Sequence, residues 1–94
     1  MNLRKLAKGQ PCMIRVPGVC NRDPATTVLA HYRMAGLCGA GMKPPDALGA
    51  FSCSACHDVV DGRVKSRWTR CELRLMHAEG VFRTWAELEK LSHE

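Results

Sequence analysis

The clearest periodic signal lies at the C-terminal end of the chain. Trp68, Cys71, Leu75, Ala78, Phe82, Trp85 and Leu88 recur at spacings of three and four, which is the repeat of one helical face. The pattern predicts a single long helix over about 66–92, with this stripe packed into the core. Gly80 costs such a helix about 1 kcal/mol but falls off the stripe, so the helix is expected to run through it. Cys71, on the stripe, reads as a buried free thiol. Upstream the patterns are shorter. NLRKLAK, residues 2–8, predicts a short helix halted by Gly9 and Pro11. CMIRV, residues 12–16, reads as a strand closed by the turn Pro17-Gly18. CNRDP, residues 20–24, reads as a loop. TTVLAHYRM, residues 26–34, reads as a second strand, because β-branched and aromatic side chains suit a pleated, half-buried surface. These two strands are expected to pair. Residues 35–50 hold four glycines and two prolines and are expected to form a long irregular loop. Ser52 or Ser54 then caps a helix running to about Asp61, with Gly62 ending it. The predicted class is α+β in one domain.

Composition narrows the picture. A chain of 94 residues builds one domain with a modest core, and aromatics make up only 5% of it. Six cysteines are many for this length, and small domains often add a staple. Disulfides require an oxidising compartment. The basic start MNLRKLAKGQPC is followed by no apolar run, so it does not read as a signal peptide. No segment approaches the roughly 18 apolar residues of a membrane helix. A cytoplasmic protein with reduced cysteines, and no membrane partner, is therefore expected. The net charge of +5, from 14 Lys and Arg against 9 Asp and Glu, favours anionic partners, nucleic acid first.

The chemistry concentrates in 52-SCSACHDVVDG-62. Cys53, Cys56 and His57 match the attachment string of a c-type haem. That use calls for an oxidising compartment and leaves four cysteines without a role. Zinc explains more of them. A structural site takes four ligands in a tetrahedron, and a C-x-x-C pair supplies one edge. Cys12 and Cys20 flank the Pro17-Gly18 turn and are the preferred second pair, with Cys38 and Cys71 as competitors.

A third reading turns on His31. A strand histidine, a loop and then a helix carrying C-x-x-C-H follow the order of the HNH, or ββα-metal, nucleases. Over residues 3–62, LRKLAKGQPCMIRVPGVCN, LAHYRMAGLCGAGMKPPD and CSACHDVVDGR resemble the small phage and prophage nucleases of the YbcO type. The resemblance implies a zinc-stapled ββα-metal (HNH-like) core over about 10–62, inside a single nuclease domain spanning 1–94, with the C-terminal helix added. It implies a metal-dependent endonuclease acting on DNA, in phage DNA processing or recombination, with recombination proteins as further partners. Zn²⁺ would be structural, and Mg²⁺ or Mn²⁺ would serve catalysis. His31 would be the general base, since imidazole exchanges protons near neutral pH. His57 would bind the catalytic ion, and Arg33, Lys43 and Arg63 would contact the nucleic-acid backbone.

The chain departs from the superfamily pattern at two points. Ala30 stands where many members have a metal ligand before the base, and residues 44–52 contain no asparagine. Asp46 is the residue in that window suited to bind metal or orient His31. Asp61, four residues beyond His57 on a helix, is expected near the same ion. Taken one at a time these residues have plainer uses: His31 as an ordinary strand histidine, Asp46 as a turn residue or cap, Asp58 as a partner of the helix dipole. His77 and His93 are assigned no role. The rival to the nuclease is a non-catalytic, zinc-stabilised module that binds DNA or protein.

Overall fold

In the computed structural model, residues 2–39, 42 and 44–92 are described. Asn2 caps the first helix, α1 (Leu3–Ala7), by accepting a hydrogen bond from the Lys5 amide at 3.2 Å. The sheet has two antiparallel strands, β1 (Val28–His31) and β2 (Gly49–Ser52), paired from Val28↔Ser52 to His31↔Gly49. Helix α2 (Ser54–Val60) follows at once, capped by the Cys53 sulfur and ended by Gly62 at φ 80°. The long helix α3 (Arg70–Ser92) closes the chain. The result is a small α+β unit. No helix among the described residues is long and apolar enough to cross a membrane.

Two expectations about strands are corrected. Residues 12–16 form no strand, because Arg15 turns left-handed at φ 57° and breaks the extended run. The partner of β1 is instead β2, inside the stretch expected to be an irregular loop ending in a helix cap. Gly-Ala-Phe-Ser shows no apolar alternation because all four residues are buried. β2 is enclosed on both faces and along its free edge. In the antiparallel ladder Phe51 lies opposite Leu29 and turns its own amide and carbonyl outward. The amide donates to Thr84 Oγ1 of α3 at 3.0 Å, and the carbonyl accepts from the Met13 amide at 2.6 Å. An edge that would otherwise offer free backbone groups is thereby closed.

The sheet divides the core in two. Leu29 and Phe51 pack with Ala7 and Met13 on one face. Ala30 and Ala50 look the other way, onto Ile14, Val16, Val59, Val60 and Val81.

The expected face of α3 is also corrected. Its buried residues are Leu73, His77, Gly80, Val81 and Thr84, whereas Leu75, Phe82 and Trp85 are 62%, 60% and 45% exposed and Cys71 is exposed. The reason is steric. The helix crosses so close to the sheet that a Cβ on Gly80 would lie 2.8 Å from Ile14 Cγ1 and 3.3 Å from Ala50 Cβ. Only a face of small residues permits that approach. Gly80 is therefore the contact point of the helix, not a bystander. The exposed rings are used at their polar edges: Trp85 Nε1 donates to the Ala47 carbonyl at 2.7 Å.

Candidate metal centre and active site

Cys12, Cys20, Cys53 and Cys56 bring their sulfurs within 4.8 Å of one another. Two come from the irregular segment after α1, and two from the start of α2. Left-handed turns shape the first pair, with Arg15 at φ 57° just after Cys12 and Arg22 at φ 56° just after Cys20. At a Zn–S distance of about 2.3 Å, tetrahedral sulfurs stand roughly 3.8 Å apart; Cys20 and Cys53 are 3.9 Å apart here. The donor set fits a zinc ion. Its protonation chemistry points the same way. A hydrogen bond from Cys56 is the main cause that lowers the Cys12 thiol to about 4, helped by the amides of Ile14 and Arg15. The same bond, with burial, pushes Cys56 far up. Thiolate, the form that binds zinc, is thus favoured at Cys12. Cys38 lies apart and donates to the Met34 carbonyl at 3.5 Å, so it does not compete with Cys20.

His31 ends β1, and a 3-10 turn over Asp46–Leu48 brings Asp46 beside it. His31 Nε2 lies 2.7 Å from Asp46 Oδ1, and Arg4 approaches the same oxygen at 3.4 Å. Chiefly the His31 bond, and then the Arg4 charge, hold the Asp46 carboxyl below its usual range. An ionised carboxylate only accepts, so His31 carries its proton on Nε2 and donates it. His31 Nδ1 makes no hydrogen bond among the described residues.

One turn of α2 sets His57 and Asp61 side by side, with Nε2 3.1 Å from Oδ2. Arg63 reaches Asp61 Oδ2 at 3.0 Å, His57 Nδ1 at 3.2 Å and Asp58 Oδ1 at 3.4 Å. A guanidinium can only donate; its Nη2 also lies 3.5 Å from His57 Nε2, so it stands against both ring nitrogens while Nε2 faces Asp61. Asp58 therefore serves this cluster as well as the helix. His57, Asp46 and Asp61 do not gather as one group of ligand atoms among the described residues, because Asp46 sits with His31.

A polar cavity of about 230 Å³ joins the two clusters. His31 and Asp61 line it, together with Arg33, Arg70, Arg74 and His77. His77 is buried on α3; its Nε2 donates to the Ala30 carbonyl at 2.9 Å, and its ring meets Tyr32 edge-on. Burial pushes its pKa down, against the opposing pull of the Ala30 bond, which favours the neutral ring. The absence of a constellation at His77 is thus corrected. Position in the sequence hid it, since its neighbours lie on β1 and α2. Arg70 and Arg74 were missed with it; their i, i+4 spacing beside His77 was the available signal. Lys43 and His93 lie outside the described residues.

The chain is similar to known proteins over much of its length. The family model described as "Putative nuclease YbcO" matches residues 1–93. Two curated relatives carry that description, one from Escherichia coli (strain K12) and one from Enterobacteria phage 82. Each is 58% identical over 62 residues, covering 66% of this chain and 65% of the relative. The match thus spans just under two thirds of those relatives. A solved structure, titled "Structure of a putative bacteriophage protein from Escherichia coli str. K-12 substr. MG1655", is 38% identical. It superposes with a TM-score of 0.79 over 97% of this chain and 100% of that one. The chain belongs to the YbcO family of "putative nucleases".

Proposed function

We propose that this protein is a DNA endonuclease of the HNH, or ββα-metal, type, working in the host cytoplasm on phage DNA during processing or recombination. The observation that carries the reading is the His31–Asp46 pair, opening on a cavity that Asp61 also lines. Asp46 fixes the ring and leaves Nδ1 of His31 free to take a proton from water attacking a phosphodiester. The imidazolium that forms is then stabilised by the Asp46 carboxylate, a division of labour common to His–carboxylate pairs. His57 and Asp61 are the side chains that would hold a divalent ion, Mg²⁺ or Mn²⁺. When bound, such an ion stabilises charge on the scissile phosphate and the leaving oxygen. Arg63 now covers these two groups and is displaced onto the nucleic-acid backbone, alongside Arg33 and Lys43. The four cysteines hold Zn²⁺, which braces the fold and takes no part in the chemistry.

Nicking of supercoiled plasmid by purified protein with Mg²⁺ or Mn²⁺ tests the proposal, with His31→Ala in parallel. A general base contributes about 10²–10⁴-fold, so the variant should lose at least that factor while keeping its melting temperature. A second reading, a zinc-stapled DNA-binding module, draws on Ala30 before His31 and on the Arg63 guanidinium already seated on His57 and Asp61. Binding of DNA without cutting by either protein would favour it.

A further inference from the structure

Cations gather around the cavity with few acids among them. Arg4, Arg63 and Arg83 each lie against a carboxylate. Arg33, Arg70 and Arg74 have no carboxylate partner among the described residues, yet all three line one cavity that contains the single acid Asp61. Three uncompensated guanidinium groups against one carboxylate leave the cavity with a surplus of positive charge, and both of its histidines add N–H or lone-pair edges.

Two of these arginines are also held in place. Arg70 donates one N–H to the Val60 carbonyl at 2.9 Å. Arg74 donates one to the Arg33 carbonyl at 3.2 Å and lies 4.6 Å over the Tyr32 ring. A guanidinium has five N–H donors in a planar fork, so each anchored group keeps donors to spare. Anchoring removes much of the rotamer entropy that a free surface arginine loses on binding. At i and i+4, both project from the same face of α3, just before His77.

From this we propose that the first two turns of α3 form a phosphate-binding wall, on which Arg70 and Arg74 grip the nucleic-acid backbone opposite His31. The bidentate geometry of guanidinium suits the paired non-bridging oxygens of a phosphodiester. The wall sets the phosphate against the free Nδ1 of His31, which makes α3 part of the site and not only a brace behind it. This inference rests on the nuclease reading above.

The test is fluorescence anisotropy of a labelled DNA duplex, without added divalent ion, across a salt series, using the zinc-loaded full chain. The proteins compared are wild type, Arg70→Gln/Arg74→Gln, and Lys65→Gln/Lys90→Gln as a charge-matched control. Loss of two phosphate contacts should raise the Kd about tenfold near 0.15 M salt and flatten the log–log salt slope by about 2. The lysine control should shift far less. Melting temperature and zinc content confirm folding. Should the double variant not fold, Arg70→Gln alone must flatten the slope by about 1. An arginine variant that binds like wild type, or no worse than the lysine control, overturns the wall and leaves the nuclease reading standing. Wild-type protein that neither binds nor cuts DNA overturns both.

Discussion

At the scale of single residues, burial and neighbours decide the chemistry. His77 and His31 are the same side chain in opposite settings. His31 faces an ionised Asp46 and is aimed by it, whereas His77 is largely buried, bonded to a carbonyl and edge-on to Tyr32, with one side on the arginine-lined cavity. Burial lowers the His77 pKa from the ordinary 6.5, against the pull of the Ala30 bond and Asp61 and with the push of His57 and Arg74. A depressed histidine binds fewer protons folded than unfolded. Its contribution to stability is therefore complete above pH 6.5 and is lost as the pH falls from there through the folded value. Melting curves at pH 7.5 and 5.0 should show a larger acid loss in wild type than in His77→Gln. Equal losses would mean that the buried ring is not the group titrating.

At the scale of elements, α3 shows how packing overrides pattern. Trp68, Leu75, Phe82 and Trp85 carry the regular spacing, yet the sheet receives the small face centred on Gly80 and Thr84. Thr84 explains why that face must come close: its hydroxyl donates to the Gly80 carbonyl and accepts from the Phe51 amide, joining helix and strand edge. Gly→Ala in an exposed helix interior is worth about 1 kcal/mol of added stability. Here the new Cβ would meet Ile14 Cγ1 at 2.8 Å and the Ile14 Cα at 3.1 Å, and a backbone atom cannot swing aside. Gly80→Ala is expected to destabilise by about 1–3 kcal/mol, as overpacking does, and to lower the thermal midpoint. A raised midpoint would show that α3 stands farther from the sheet.

At the scale of the molecule, the four cysteines add a tie to a segment that Ile14 and Val16 in the core and the Arg83 bond to the Met13 carbonyl already hold. Residues 12–20 contain no regular helix or strand, and they are tied to the start of α2 by the sulfur cluster and to β2 by the Met13 amide. Both halves of the core border this region. Structural zinc in small domains is worth about 10–16 kcal/mol of apparent binding free energy, more than the stability of most domains of this size. One zinc per chain is expected by elemental analysis. Chelation, or Cys53→Ser, should collapse the far-ultraviolet circular dichroism of the whole chain. Retention of native signal without metal would show that the thiols pack as an ordinary core.

Much of the local structure was legible in the chain. Asn2 before LRKLA, and the run from Cys53 to Gly62, marked two helices through contacts within a few residues. The cysteine spacing around Pro17-Gly18 singled out Cys12, Cys20, Cys53 and Cys56, because a turn and a helix start present thiols by local geometry. The strand position of His31 followed from its β-branched and aromatic neighbours; Asp46 was expected to bind metal or to orient His31, and it lies beside the ring. Only the tertiary structure decided which segment pairs with β1, which face of α3 is buried, and that Arg70, Arg74 and His77 share a cavity with His31 and Asp61. Those features arise from approaches between residues far apart in the chain. A glycine that lets a helix touch a sheet leaves no periodic trace, and it outweighs the apolar stripe that does.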